Sequence, residues 1–424
     1  MLTPKFKISQ SDEFIVVIIH APYTKVSDVD IFIDHSCFAF HAKPYFLRLE
    51  LPGCVLEEGS SCKYEVDDGA YTVQICKQQK GEHFKDLDLI TTLLEPKKLS
   101  KNTPLIEVIS AGEVNRSFSP RDNDSEEDVK PTPDVDCSSS FGYGFANQKY
   151  GVISKLQVLT DFMSIKHPDD VSFEDRAQLR QAAENLKFDS DYYLADLYED
   201  EHIQNLIKFT PPWMQDADEQ WEFTEEENNQ LQKLPNKHYI ISESEQGLIL
   251  NGLYDILFAY AYNERVNEGE GCVESPWNIR TLSPTLSWCT ACMGVRETTV
   301  ACARRVMCYP QYRNWELACK VQEDVIRILK RGRRYVLKCF LEIWRIFQTA
   351  DGSPCYILND LYITDYCVWL QKVKRCDEIL NDFAQEAQKC RIKKEDLKLE
   401  LELIEEAAEL VLNEETEQNV DVDE

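Results

Sequence analysis

Two rhythms of apolar and polar positions divide the chain. Over residues 1–96 the rhythm is two. The segment KPYFLRLELPG (43–53) sets Tyr45, Leu47, Leu49 and Leu51 on one side and Phe46, Arg48 and Glu50 on the other. That is a strand with one face on a core and one mostly in water. EFIVVIIHAP (13–22) is apolar and β-branched, and VDIFIDHSCFAFHAK (29–43) is interrupted by Asp-His-Ser, which reads as a hairpin turn. After the acidic turn EVDDG (65–69), AYTVQIC (70–76) alternates again through Tyr71, Val73 and Ile75. Strands at this spacing, divided by turn signals, predict a small antiparallel β-sandwich over 1–96.

The second rhythm is helical and occupies 141–412. Ser172 precedes FEDRAQLRQAAENLKF with Asp175 three residues on, a helix start. Ser283 caps a helix whose first position is Pro284. GLILNGLYDILFAYAY (247–262) is apolar almost all round, as a central bundle helix is. DLKLELELIEEAAELVLNEE (396–415) repeats leucine at helical spacing before an acidic tail, 413–424. Between the two rhythms, 97–140 changes character: apolar content drops after Ile109, and RDNDSEEDVKPTPDVD (121–136) is acidic and proline-containing, the composition of a linker. The expected fold is multidomain: a β-sandwich, an acidic linker, then an all-α domain.

Charge adds what patterning does not. The chain of 424 residues carries a net charge of −29, which argues against direct nucleic-acid binding, since that needs cations to displace counterions. The excess is uneven. Residues 189–270 hold 4 Lys+Arg against 19 Asp+Glu, a balance of −15, whereas 271–375 hold 16 against 9, a balance of +7. The helical part thus has an acidic lobe and a mildly basic one, which either packs internally against the acidic lobe or meets an acidic tail of a partner. No apolar run is long enough to span a bilayer. The start, MLTPKFKISQ, has no apolar signal core, so the 16 cysteines are expected in a reducing compartment, mostly as buried thiols.

Candidate chemistry is sparse. FDSDYYLADLYEDEHI (188–203) is the densest acidic stretch, but an EF-hand would need a ligand at Tyr193 and a glycine at Leu194. At helical spacing Tyr192, Tyr193 and Leu197 with Asp196, Glu199 and Asp200 make an amphipathic helix with a carboxylate face: a solvated surface, or an anionic contact for a basic partner. C-x-x-C at 289–292 lacks the second pair of a zinc site and the preceding strand of a redox site, and is read as lying in a helix already under way. The seven histidines are dispersed, and no Walker, G-x-S-x-G or G-x-G-x-x-G motif occurs, so no catalytic residue, metal or cofactor is expected. KRGRR (330–334) reads either as a nuclear import signal or as a charged turn about Gly332.

Several long motifs then carry a resemblance. LTPKFKISQ, AKPYFLRLELPG and HFKDLDLITTLLEP are similar to the CS domain of the Shq assembly chaperones. FGYGFANQKYGV, FDSDYYLADLYEDE, VESPWNIRTLSPTLSW, RRVMCYPQYR and YILNDLYITDYCVW resemble the family's specific helical domain. The resemblance implies a non-enzymatic chaperone of box H/ACA ribonucleoprotein biogenesis, working in nucleoplasm and cytoplasm. It would bind the particle's pseudouridine synthase (dyskerin in animals) before guide RNA, as an acidic mimic on the RNA-binding face. No membrane or direct nucleic-acid partner is implied. The expected contacts are Tyr192, Asp196, Glu199 and Asp200, with Phe6 and Gln10 of TPKFKISQ as a second patch on one alternating strand face. The alternative is a CS-domain co-chaperone working through the large heat-shock ATPase.

Overall fold

The computed structural model describes residues 3–22, 24, 29–65, 69–94, 141–153, 163–214, 222–290, 292–309, 311–350 and 354–420, with side chains as far as Asn413. The expected linker at 97–140 lies outside the described residues.

Seven strands form the N-terminal unit: β1 Lys5–Gln10, β2 Phe14–His20, β3 Asp30–Asp34, β4 Cys37–Ala42, β5 Tyr45–Glu50, β6 Val55–Glu65 and β7 Ala70–Lys77. They pair antiparallel in two sheets, β1-β2-β7-β6 and β3-β4-β5. Alternation dictates the core: Ile15, Val17 and Ile19 of β2, Phe38 and Phe40 of β4, Leu47 and Leu49 of β5 and Val73 and Ile75 of β7 are buried between the sheets. The β3–β4 hairpin turns at His35, in a left-handed conformation (φ 47°), as the Asp-His-Ser break predicts. Strand β6 escapes the alternation reading. It is a sheet edge, mostly exposed, and its register shifts between Leu56 and Ser61 around Gly59 (φ 85°). A bulge of this kind erases the period of two.

A short helix, α1 Ile90–Leu93, leads out of the sandwich and packs against the helical domain. The expected all-α region follows, although its first residues are not in long helices. Residues 141–153 and 163–172 carry only short 3₁₀ turns and an isolated bridge, Tyr143 to Lys149, and the first long helix is α2 Phe173–Lys187. Then follow α3 Ser190–Tyr198, α4 Glu201–Lys208, α5 Glu225–Lys233, α6 Glu243–Val266, α7 Ser275–Leu282, α8 Pro284–Trp288, α9 Val295–Cys308, α10 Trp315–Lys330 and α11 Arg333–Gln348. α12 Tyr356–Leu358 runs through a π turn into α13 Thr364–Lys372, before α14 Cys376–Lys389 and α15 Leu401–Val420. The expected caps are in place: the Asp175 amide donates to Ser172 Oγ at 3.1 Å, and the Leu286 amide to Ser283 Oγ at 3.1 Å. The central helix α6 is buried along Ile249–Asn263. Its Asp255 accepts from Thr285 Oγ1 at 2.6 Å and from Ser283, which is how a carboxylate is tolerated there.

The C-terminal leucine stretch is not one helix. Lys398 and Glu400 take left-handed conformations (φ 53° and 54°), so Leu397, Leu399 and Leu401 are buried at a spacing of two and α15 starts at Leu401. The helix continues to Val420, into the expected tail; residues 421–424 lie outside the described ones.

Candidate partner-binding surface

Residues 188–203 fold as two helices meeting at a corner. Asp189 caps α3, accepting from the amides of Asp191 (3.0 Å) and Tyr192 (3.1 Å). The helix ends at Tyr198, Glu199 leaves helical geometry (φ −103°, ψ 51°), and Asp200 precedes α4. One continuous amphipathic helix, as the spacing predicts, is therefore not formed. Tyr193 of α3 and Leu206 of α4 are both buried, yet on a straight helix they would point about 140° apart. The corner lets both reach the core, and it presents Glu199 at its apex, exposed.

The four helical candidates fall on this corner with different freedom. Tyr192 is 61% exposed, with the Arg313 guanidinium 4.8 Å from its ring centre. Asp196 Oδ2 accepts from the Arg313 amide at 2.7 Å, so it also fixes the start of the segment leading to α10. Asp200 accepts from Gln204 Nε2 at 2.9 Å, and the same nitrogen donates to Glu316 at 3.0 Å. Glu316 thus joins the acidic surface from a stretch of net positive charge, where no local sequence signal marks it. Tyr198, 48% exposed, is a further aromatic at the corner. Behind it, Tyr193 donates its buried hydroxyl to Glu405 of α15, and Lys394 Nζ binds the same carboxylate at 2.6 Å.

The patch on the sandwich is corrected. Phe6 and Gln10 do share a strand face, but that face is internal. Phe6 is 5% exposed in the core. Gln10 is a clamp: its amide donates to Phe84 O at 2.7 Å, and its Oε1 accepts from the Phe84 amide (2.9 Å) and from buried Lys77 Nζ (3.0 Å). The exposed aromatics of the sandwich lie on the outer face of β3-β4-β5, where Phe32 (59%) and Phe46 (39%) are exposed and Phe46 lies 6.4 Å from the His41 ring. The alternation that buries Leu47 and Leu49 already placed Phe46 outside.

Two further sequence features take defined places in the fold. Cys289 follows the end of α8 in a left-handed conformation, so C-x-x-C lies between helices rather than inside one. Burial pushes the Cys289 thiol up to about 11 and that of Cys292 to about 12, and all described cysteines are free. KRGRR is the turn from α10 to α11 about Gly332 (φ 82°), and its Arg333 and Arg334 bind Asp86 and Asp88 of the sandwich's exit segment. Next to it, Thr92 Oγ1 donates to Gln371 O of α13 at 3.0 Å, and Gln232 of α5 donates to Phe6 O at 2.8 Å. Several arginines of the basic lobe are thus held within the molecule, but mostly by Asp86, Asp88 and Glu184 and not by the acidic lobe, which supplies Asp196 to Arg313.

Comparison with known proteins bears on both domains. Residues 3–94 match the family model described as SHQ1-like, CS domain, and residues 212–401 the one described as SHQ1 protein, Shq1 domain. The chain is 42% identical over 435 residues to Protein SHQ1 homolog of Xenopus tropicalis, covering 98% of this chain and 71% of that protein. It is 41% identical over 440 residues to Protein SHQ1 homolog of Mus musculus (98% and 76%), and 33% identical over 438 residues to Protein shq1 of Schizosaccharomyces pombe (96% of each).

Proposed function

The chain belongs to the SHQ1 protein family, and from that premise we propose that it is an assembly chaperone of box H/ACA ribonucleoproteins. In this reading it works by binding, not by catalysis. It holds the particle's pseudouridine synthase before guide RNA arrives and covers the RNA-binding face with an acidic surface, in nucleoplasm and cytoplasm. The observation that supports the reading most is the α3–α4 corner, where Asp200 and Glu316 share Gln204, Asp196 holds the Arg313 amide, and Glu199, Tyr192 and Tyr198 are exposed. A face built for phosphates is cationic, so an anionic corner complements it and speeds encounter. Aromatic rings beside the carboxylates offer stacking surface of the kind RNA bases provide.

Competition tests it. Guide RNA added to the purified synthase–chaperone complex is expected to displace the chaperone, with the complex weakening steeply as salt rises. A stable ternary assembly, with neither ligand losing affinity, would overturn the shielding mechanism. A second reading, a co-chaperone of the heat-shock ATPase, draws on exposed Phe32 and Phe46. It expects Phe32→Ser with Phe46→Ser to abolish ATPase capture while leaving synthase binding intact.

A further inference from the structure

A cavity of about 530 Å³ opens between α6, α11, the segment 269–276 and Trp213, away from the acidic corner and sharing no residue with it. Three aromatic residues line it: Trp213, Tyr260 and Tyr335. The Trp213 and Tyr260 rings lie 6.2 Å apart, and the Tyr335 ring already carries a guanidinium, that of Arg331, 4.5 Å from its centre. Among them stands Glu264, mostly buried and hydrogen-bonded by Asn263; the Arg345 guanidinium, itself bound to Glu342, is near enough to oppose its rise without cancelling the effect of burial. The other carboxylates facing it are committed: Glu342 accepts from Arg345 Nε at 3.1 Å, and Glu227 accepts from the Thr224 amide at 2.7 Å. Lys338 lines the same wall and has its own interaction. The Trp213 indole N–H, also buried, has no acceptor.

We propose that this cavity binds a lysine or arginine side chain from a basic peptide segment of a partner protein, its charged head on Glu264 and its stem between the three aromatic rings. A buried carboxylate is costly until a cation reaches it, and aromatic faces are the walls that suit a cation with an aliphatic stem. The volume exceeds one side chain, leaving room for the flanking backbone. The free state agrees: burial, with Glu342 nearby, raises Glu264 to about 7. Binding a cation favours the ionised form, so affinity should rise from pH 6 to 8 as a proton leaves.

The test uses the full chain and fluorescein-labelled Gly/Ser peptides that differ only in a central lysine, arginine or norleucine. A charged hydrogen bond of about 1.5–3 kcal/mol corresponds to roughly ten- to hundredfold in affinity. Lysine and arginine peptides should therefore bind saturably and at least about tenfold tighter than norleucine. Glu264→Gln, nearly isosteric, should abolish that preference, whereas Glu402→Gln, which removes an exposed charge from α15, should not. Gly271→Phe blocks the rim, where an added Cβ meets nothing within 4 Å, and should abolish binding with the melt unchanged. Equal binding of lysine and norleucine peptides, or equal losses from the two glutamate variants, would overturn the proposal by reducing it to attraction for the chain's net charge.

Discussion

Glu184 and Glu199 stand fifteen positions apart in the sequence and serve opposite ends. Glu184 of α2 is fully buried, ringed by Arg180 NH1 (2.9 Å), Arg304 Nε (2.7 Å) and Arg305 NH1 (3.0 Å). Glu199 stands exposed at the apex of the α3–α4 corner. The difference shows how charge in a sequence should be read. The +7 balance of 271–375 suggests a basic surface, yet Arg304 and Arg305 are spent on Glu184, Arg313 on Asp196, and Arg333 and Arg334 on the sandwich. Setting these five arginines aside leaves 11 Lys+Arg against 9 Asp+Glu in 271–375, so that stretch offers far less free positive charge than its sequence balance implies.

The buried side of the comparison should break hardest. Glu184→Ala strands three guanidinium groups in the core, and truncating one member of such a network costs about 3–5 kcal/mol. Glu184→Gln, which keeps an acceptor, should cost less. Denaturant unfolding of the two variants measures the difference. A Glu184→Ala protein as stable as the parent would mean that the arginines' backbone partners, such as Thr281 O for Arg305, suffice alone.

The exposed side should move binding instead of folding. Glu199→Lys is expected to weaken the proposed synthase complex by about three- to tenfold at low salt, with an unaltered melt. Asp196 is the mixed case, because its carboxylate also receives the Arg313 amide. Asp196→Asn keeps an acceptor while dropping the charge, so it should lose affinity without losing stability, whereas Asp196→Ala should lose both. If Asp196→Asn binds normally, the residue belongs to the scaffold and the contact rests on Glu199 and Asp200.

Legibility followed the same division. Leu47, Leu49, Val73 and Ile75 announce their burial because one face of a strand must be apolar. Ser172 and Ser283 announce helix starts because a cap is a local bond. Strand β6 does not, because an exposed edge with a bulge has no periodic constraint. The corner at Glu199–Asp200 was equally hidden: it exists so that Tyr193 and Leu206 can meet a core built by distant helices, and no residue within 188–203 states where that core lies. Phe6 and Gln10 show the converse error. They do share one alternating face, but which face is inside depends on Phe84 and Lys77, some seventy residues on.

The smallest effect belongs to the arginines between the domains, which are neither fully buried nor free. Arg333 has a 16% exposed side chain and Arg334 a 44% exposed one. Ion pairs at such sites contribute about 0–1 kcal/mol each. Docking does not depend on them alone, since Ile90 and Leu93 of α1 are buried and Thr91 and Thr92 bond to Gln371. Replacing both arginines with alanine should leave the domains docked and shift the unfolding midpoint little. Hydrogen exchange should rise locally over Asp86–Leu89, where the chain leaves the sandwich. If that double variant were as costly as Glu184→Ala, burial would not be what separates strong charges from weak ones here, and the α10–α11 turn would have to count as a structural hub in its own right.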